Sequence, residues 1–171
     1  MAAGPTYEPI ATTTLSSTQG TVSFTSIPQT YTDLVIVLNS AFNYFAPQAS
    51  GGMQLNSDTG TNYSYTAMSG NGSTAASFSA ATQGWIYFGE CSAAGEPFSN
   101  NIIHLLNYSN TTTFKTILSR SNLAHSRVMT QINLWRNTAA VTRVDLLAYG
   151  GASVAQWIAG STFTLYGISA A

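Results

Sequence analysis

DLVIVLNS, residues Asp33 to Ser40, decides the fold. It is a continuous apolar run rich in β-branched side chains, the pattern of a central strand buried on both faces. Just upstream, TVSFTSI (21–27) places Val22, Phe24 and Ile27 in loose alternation, which reads as a strand with one wet face. Working outward, apolar residues keep recurring with period two and almost nowhere with period 3.6. Further strands are expected at 10–15, 52–55, 63–68, 84–88, 101–107, 114–121, 128–135, 141–148 and 163–168. Between them fall turn-forming pairs such as Ile27-Pro28, Ser50-Gly51-Gly52, Asp58-Thr59-Gly60 and Glu96-Pro97. Residues 69–81 (SGNGSTAASFSAA) are small, polar and patternless, and are expected as a mobile surface loop. The sum is an all-β chain of about ten strands in an antiparallel β-sandwich of jelly-roll-like order, with helix near zero.

No linker divides the chain, and 171 residues suit one core. Two parts are distinguished: an extended, Pro-containing arm over 1–11 that can dock on a neighbour, and a single sandwich domain over 12–171. Charged residues are 6 % of the chain against roughly 25 % in ordinary soluble proteins. Ser, Thr, Asn, Gln and Gly stand where Lys and Glu usually do, so the surface is polar and neutral. Strand edges without charged guards invite pairing, which implies that assembly covers them.

A net charge of −1 with five basic residues (Lys115, Arg120, Arg127, Arg136 and Arg143) cannot build the stripe that phosphate binding requires, so no nucleic acid is expected as a partner. No apolar run reaches the length of a membrane helix, and MAAGPTYEPI has no signal-peptide pattern; no membrane insertion is expected. Cys91 is alone and flanked by Glu90 and Glu96, which favours an inert thiol. His104 and His125 have no partner cluster for a metal, and no cofactor is expected. Glu8, Asp33, Asp58, Glu90, Glu96 and Asp145 are scattered, without the pairing that glycoside hydrolysis needs. Asp33 reads as a turn cap and Asp145 as the partner of Arg143 on a strand face. LNSDTGTN (55–62) offers Asn56, Asp58 and Asn62 oxygens to a hard cation, but a hydrogen-bonded Asx-turn is the stronger reading. No catalytic residue emerges.

Aromatic side chains are the remaining resource. Tyr44 and Phe45 ahead of Pro47, and Trp157 after Gly150-Gly151, are the ones least explained by strand packing, and mark a candidate interface or glycan contact.

Several segments resemble a small jelly-roll-like structural domain that recurs among virion proteins of tailed phages, notably those of cyanobacteria and marine bacteria. They are FTSIPQTYTDLVIV (24–37), LNSDTGTNYSYT (55–66), GNGS (70–73), LWRNTAAVTRV (134–144) and IAGSTFTLYGI (158–168). The resemblance spans nearly the whole chain and carries no catalytic residues. It implies a non-enzymatic structural protein, often a homotrimer, on the virion surface after synthesis in the bacterial host cytoplasm. A tail fibre or baseplate component and a capsid decoration protein are the two placements, with other virion proteins as partners. The alternative is a receptor-recognition module stacking host surface glycans on exposed Tyr and Trp.

Overall fold

The computed structural model describes residues 6–43, 49–123, 126–149 and 155–169. Those residues hold twelve strands and no helix: β1 (Tyr7–Thr14), β2 (Thr21–Phe24), β3 (Asp33–Ser40), β4 (Ala49–Leu55), β5 (Tyr63–Gly70), β6 (Ala75–Gln83), β7 (Ile86–Cys91), β8 (Ser99–Leu105), β9 (Lys115–Leu123), β10 (Arg127–Trp135), β11 (Val144–Tyr149) and β12 (Thr162–Ile168). They form an eight-stranded sheet, in the order β1-β12-β3-β8-β9-β10-β5-β6, and a four-stranded sheet, β2-β11-β4-β7. Every pairing of named strands is antiparallel. The expected antiparallel sandwich is therefore the fold.

Its plan is simpler than twelve strands suggest. Set aside the hairpins β5–β6 and β9–β10, and the other eight strands, counted along the chain, run first-eighth-third-sixth in one sheet and second-seventh-fourth-fifth in the other. Both hairpins extend the large sheet past β8, so it overhangs the small one. The overhang covers β7, an edge strand whose six residues are all buried.

β3 lies third from the β1 edge of the large sheet, and Leu34, Ile36 and Leu38 on its inner face are fully buried, as the uninterrupted apolar run requires. They join Val22, Phe24, Met53, Leu55, Ile86, Phe88, Val144, Leu146, Phe163 and Leu165 in one core between the sheets. Gly51 and Gly89 face each other where β7 bulges against β4. A Cβ at Gly51 would lie 2.1 Å from the Phe88 ring, and one at Gly89 would lie 2.2 Å from Ser121 Oγ. Gly89 also has φ 129°, so only glycine lets β7 pass this close beneath β9.

Two expectations are corrected. Residues 7–11, read as part of an extended arm that docks on a neighbour, instead belong to β1, paired within the chain with β12 from Tyr7↔Ile168 onward. Much of the stretch read as a mobile loop is β6, paired with β5 from Gly70↔Ala75 to Tyr63↔Gln83. A strand at the sheet edge with mostly small side chains exposed on both faces leaves no hydrophobic period to read.

Candidate interaction surfaces

Alternation in β5, β8, β9 and β10 sends one set of side chains into the core and the other to the outer face of the large sheet. The outer set is unusually apolar. Met68 (61 % exposed), Val128 (62 %), Ile132 (57 %), Leu118 (38 %) and Ile102 (36 %) all project from it. The register makes them neighbours: Ile132 lies opposite Leu118, and Met68, Thr130, Arg120 and Ile102 form one row across four strands. A shallow depression of about 520 Å³ opens between Met68, Ile102, Arg120 and Val128. Polar side chains are interspersed: Thr130 and Arg120 lie between Met68 and Ile102, Asn100 and Asn122 border the depression, and His104 Nε2 contacts Asp33 Oδ2 at 3.2 Å toward β3. Five large aliphatic side chains exposed together on one sheet face mark an interaction surface.

A second surface, aromatic rather than aliphatic, wraps the edge of the sandwich at β7. Phe78, on the underside of the overhanging hairpin, meets Tyr65 (6.1 Å between ring centres) and Tyr87 (6.1 Å). Tyr87 meets Trp85 edge-on at 6.1 Å, and Trp85 lies against Tyr149 at 4.7 Å and 32°. Trp85 rests over Gly52 of β4, where a Cβ would come within 3.0 Å of its ring. Its backbone is held there by Gln54, whose Nε2 donates to Gly84 O at 2.9 Å. Met53 and Leu146 point inward, so Gly52, Leu147 and Tyr149 face out from the small sheet.

Beneath the overhang lies a polar seam. On the inner faces of β8, β9 and β10, Asn101, Ser119, Ser121, Gln131 and Asn133 are buried against β7, whose outer edge has no strand partner. Asn101 Nδ2 reaches Glu90 O at 3.4 Å and Cys91 Sγ at 2.9 Å, and Ser119 Oγ donates to Gln131 Oε1 at 2.5 Å. Seven buried side-chain atoms, including Glu90 Oε2, Ser121 Oγ and both polar atoms of Asn133, have no hydrogen-bond partner among the described residues. Glu90 Oε1 accepts from Arg127 Nη1 at 3.1 Å. Burial pushes the Glu90 carboxyl above its ordinary range, and the Arg127 cation only partly opposes this.

The other ionisable groups are held in structural roles. Both Asp58 oxygens are engaged: Oδ1 by Gly60 N–H (2.8 Å), Oδ2 by Asn62 Nδ2 (2.8 Å) and by the indole N–H of buried Trp135 (2.7 Å). Partial burial would raise this carboxyl, but the three donors carry it below the usual carboxylate range. Asn56 turns its oxygen to the Thr142 and Arg143 N–H groups, and Asn62 offers Asp58 its NH2. The three oxygens expected as cation ligands therefore do not converge, and the loop is the Asx-turn. Among the described residues no group of three His, Cys, Asp or Glu side chains could hold a metal.

Asp33 Oδ1 caps Asn107 N–H at 2.6 Å. Asp145 accepts two bonds from Arg143 Nε, at 2.9 and 2.8 Å, and one from Ser23 at 2.6 Å. Glu8 accepts from Tyr31 at 3.0 Å. Lys115 is buried, its Nζ donating to Thr113 O (2.9 Å) and Thr138 O (3.0 Å), and burial lowers its pKa. Cys91 is buried too, which pushes its thiol up to about 12.

Trp157, singled out in the sequence as a surface contact, is instead fully buried. It stacks on Phe42 at 4.2 Å and meets Phe163 edge-on at 5.2 Å. It bridges Gln19 and Phe42 outside the named strands, a contact that no local periodicity announces. Tyr44, Phe45 and His125 lie outside the described residues. At the β7 edge Phe78, Trp85 and Tyr149 reach the surface from three separate segments of the chain, while Tyr7 and Phe114 are exposed elsewhere. No protein-family model matches this chain, and no curated protein matches it.

Proposed function

We propose that this chain is a non-enzymatic structural protein of a tailed-phage particle, attached at the particle surface as a tail fibre or baseplate component or as a capsid decoration protein. The observation that carries the reading is the aliphatic outer face of the large sheet, exposed across β5, β10, β9 and β8 in a chain with almost no surface charge. Covering those five side chains is worth about 1 kcal/mol or more each, and a second copy of this chain is the occupant proposed, closing as a homotrimer. Near-absence of charge favours a copy over a partner chosen by its field, since there is little to complement.

The strand order supports the same reading. Its eight-strand plan is how a jelly roll interleaves two sheets, so the fold is read as a jelly roll with two hairpins inserted on one side, an architecture common in viral capsid proteins. The ion-paired, capped or buried state of most carboxylates described fits a structural role better than acid–base chemistry.

Sedimentation analysis of the purified chain tests the self-association, and immunogold labelling of intact particles tests the placement. A trimer that Met68→Lys and Ile132→Lys reduce to monomers, with gold on the particle, is the expected result. A chain that stays monomeric at every concentration, or particles that carry no label, would sink the reading. Gold on the head would mean decoration; gold at the tail tip would mean a fibre or adaptor.

A further inference from the structure

We propose that the aromatic strip running from Phe78 through Tyr65, Tyr87 and Trp85 to Tyr149 is a binding site for a neutral oligosaccharide. This stands apart from the virion assignment and survives if that fails.

Over β5, β8, β9 and β10 the outer face of the large sheet shows aliphatic side chains and Met, which gain from any contact that excludes water. At the β7 edge the exposed carbon is largely ring carbon: Phe78 is 38 % and Tyr149 43 % exposed, with Trp85 and Tyr65 half-buried between them. An aromatic face carries partial negative charge, and the C–H groups on one side of a pyranose carry partial positive charge. Ring faces therefore attract a sugar's apolar side specifically.

The strip is also rigid. Trp85 is clamped between Gly52 below, Tyr149 beside it at 4.7 Å and the edge of Tyr87 at 6.1 Å, while Gln54 ties its neighbour Gly84 to β4. A platform fixed before binding loses little freedom when a ligand arrives. Its surroundings select for lack of charge. Gln54 borders it, and the charged groups near it are paired: Arg143 with Asp145 at 2.7 Å, completed by Ser23, and Arg127, near Tyr87, with Glu90 at 3.1 Å. A neutral, hydroxyl-rich ligand is the chemical complement; an anionic one finds each nearby cation already paired.

The test uses the full chain with four neutral probes, cellohexaose, maltohexaose, laminarihexaose and mannohexaose, and an oligouronate as the anionic control. Binding is followed by indole fluorescence and by NMR shifts at low millimolar sugar. At least one neutral hexaose is expected to bind, and Tyr149→Ala to weaken it roughly three- to tenfold, the effect of one stacked ring. Trp85→Ala should abolish it; because that change can also loosen β7, Phe78→Ser on the exposed hairpin provides a second reading. Ile132→Lys, on the opposite face, should leave affinity per chain unchanged. Absence of binding by all four, binding that ignores Tyr149→Ala and Phe78→Ser, or binding of the oligouronate alone would each overturn the proposal. Quencher protection of Trp85 that grows with protein concentration would mean that a second copy covers the strip, and would overturn it too.

Discussion

Replacing Asp58 with alanine should cost this protein far more than its place in a surface turn suggests. The carboxylate accepts the indole N–H of Trp135 at 2.7 Å, and Trp135 is fully buried. Without Asp58 that donor has no partner and no path to water, which costs about 1–3 kcal/mol. The bonds from Asn62 and Gly60 are lost as well, but both donors can reach solvent, so they add about 1 kcal/mol together. The turn also positions Tyr63, whose hydroxyl donates to Asp58 O at 3.0 Å and accepts from Leu55 N at 3.1 Å. A total of about 2–4 kcal/mol corresponds to a fall in Tm of roughly 5–15 °C for a chain of this length.

Asp58→Asn should cost less, because one oxygen can still receive the indole, yet its NH2 must face another donor. The acid dependence then separates charge from shape. Asp58 has its folded pKa lowered, so its contribution is complete above the unfolded value of about 4 and is lost as pH falls through the folded value. The stability gap between wild type and Asp58→Asn should therefore be constant near neutrality and narrow below about pH 4. Urea unfolding followed by Trp135 emission and by far-ultraviolet dichroism, repeated across pH, measures both. An Asp58→Ala protein within about 0.5 kcal/mol of wild type would refute the buried-donor argument.

The polar seam predicts the opposite sign. Asn133→Leu removes two buried atoms with no partner, and should be neutral or stabilising by about 1 kcal/mol in thermal unfolding. Glu90 has its folded pKa raised, so its ionised form costs stability at neutral pH and the cost fades as pH drops through that value; Glu90→Gln should gain on wild type at pH 7 and lose the gain in acid. Gly89→Ala should prevent soluble folding, judged by expression and dichroism, because its methyl would enter Ser121 at a φ that L side chains rarely adopt. Cys91 should ignore thiol reagents at pH 8 in the native protein and react fully in denaturant, as a buried thiol pushed up to about 12 requires.

Local pattern carried the architecture a long way. The apolar run 33–40 is β3, and most other alternating segments are strands, because each has a dry inner face and a wetter outer one to impose period two. The reading failed where that asymmetry is missing: β6 is exposed on both faces, and β1 begins in a Pro-containing stretch whose residues are only partly buried at the sheet edge beside β12. Asp145 with Arg143 was legible because residues two apart share a strand face. Asp58 with Trp135, and Phe78 with Trp85 and Tyr149, were not, since register across the sandwich unites them. An unusual signal did exist for the aliphatic face. In VMTQINLW (128–135) the residues between Met129, Gln131, Asn133 and Trp135 are Val128, Thr130, Ile132 and Leu134, so apolar side chains fall on both faces of β10. A strand with amides on its buried face and aliphatics on its exposed one inverts the ordinary alternation.

That inversion ties the seam to the surface. β7 is an edge strand buried under an overhang, and polar side chains from the inner faces of β8 to β10 lie against it; Asn101 Nδ2 donates to its Glu90 O at 3.4 Å, while both polar atoms of Asn133 stay unpartnered. Hydrophobic area is thereby withdrawn from the core at the point where the large sheet is widest, and the same strands expose it outward at Met68, Leu118, Val128 and Ile132. A lone chain gains nothing from this exchange; an assembled one recovers the loss when the outer face is covered. The two proposed surfaces then divide the molecule without competing. The outer face of the large sheet and that of the small sheet point in opposite directions, so a chain docked through the first would keep Trp85 and Tyr149 turned toward solvent.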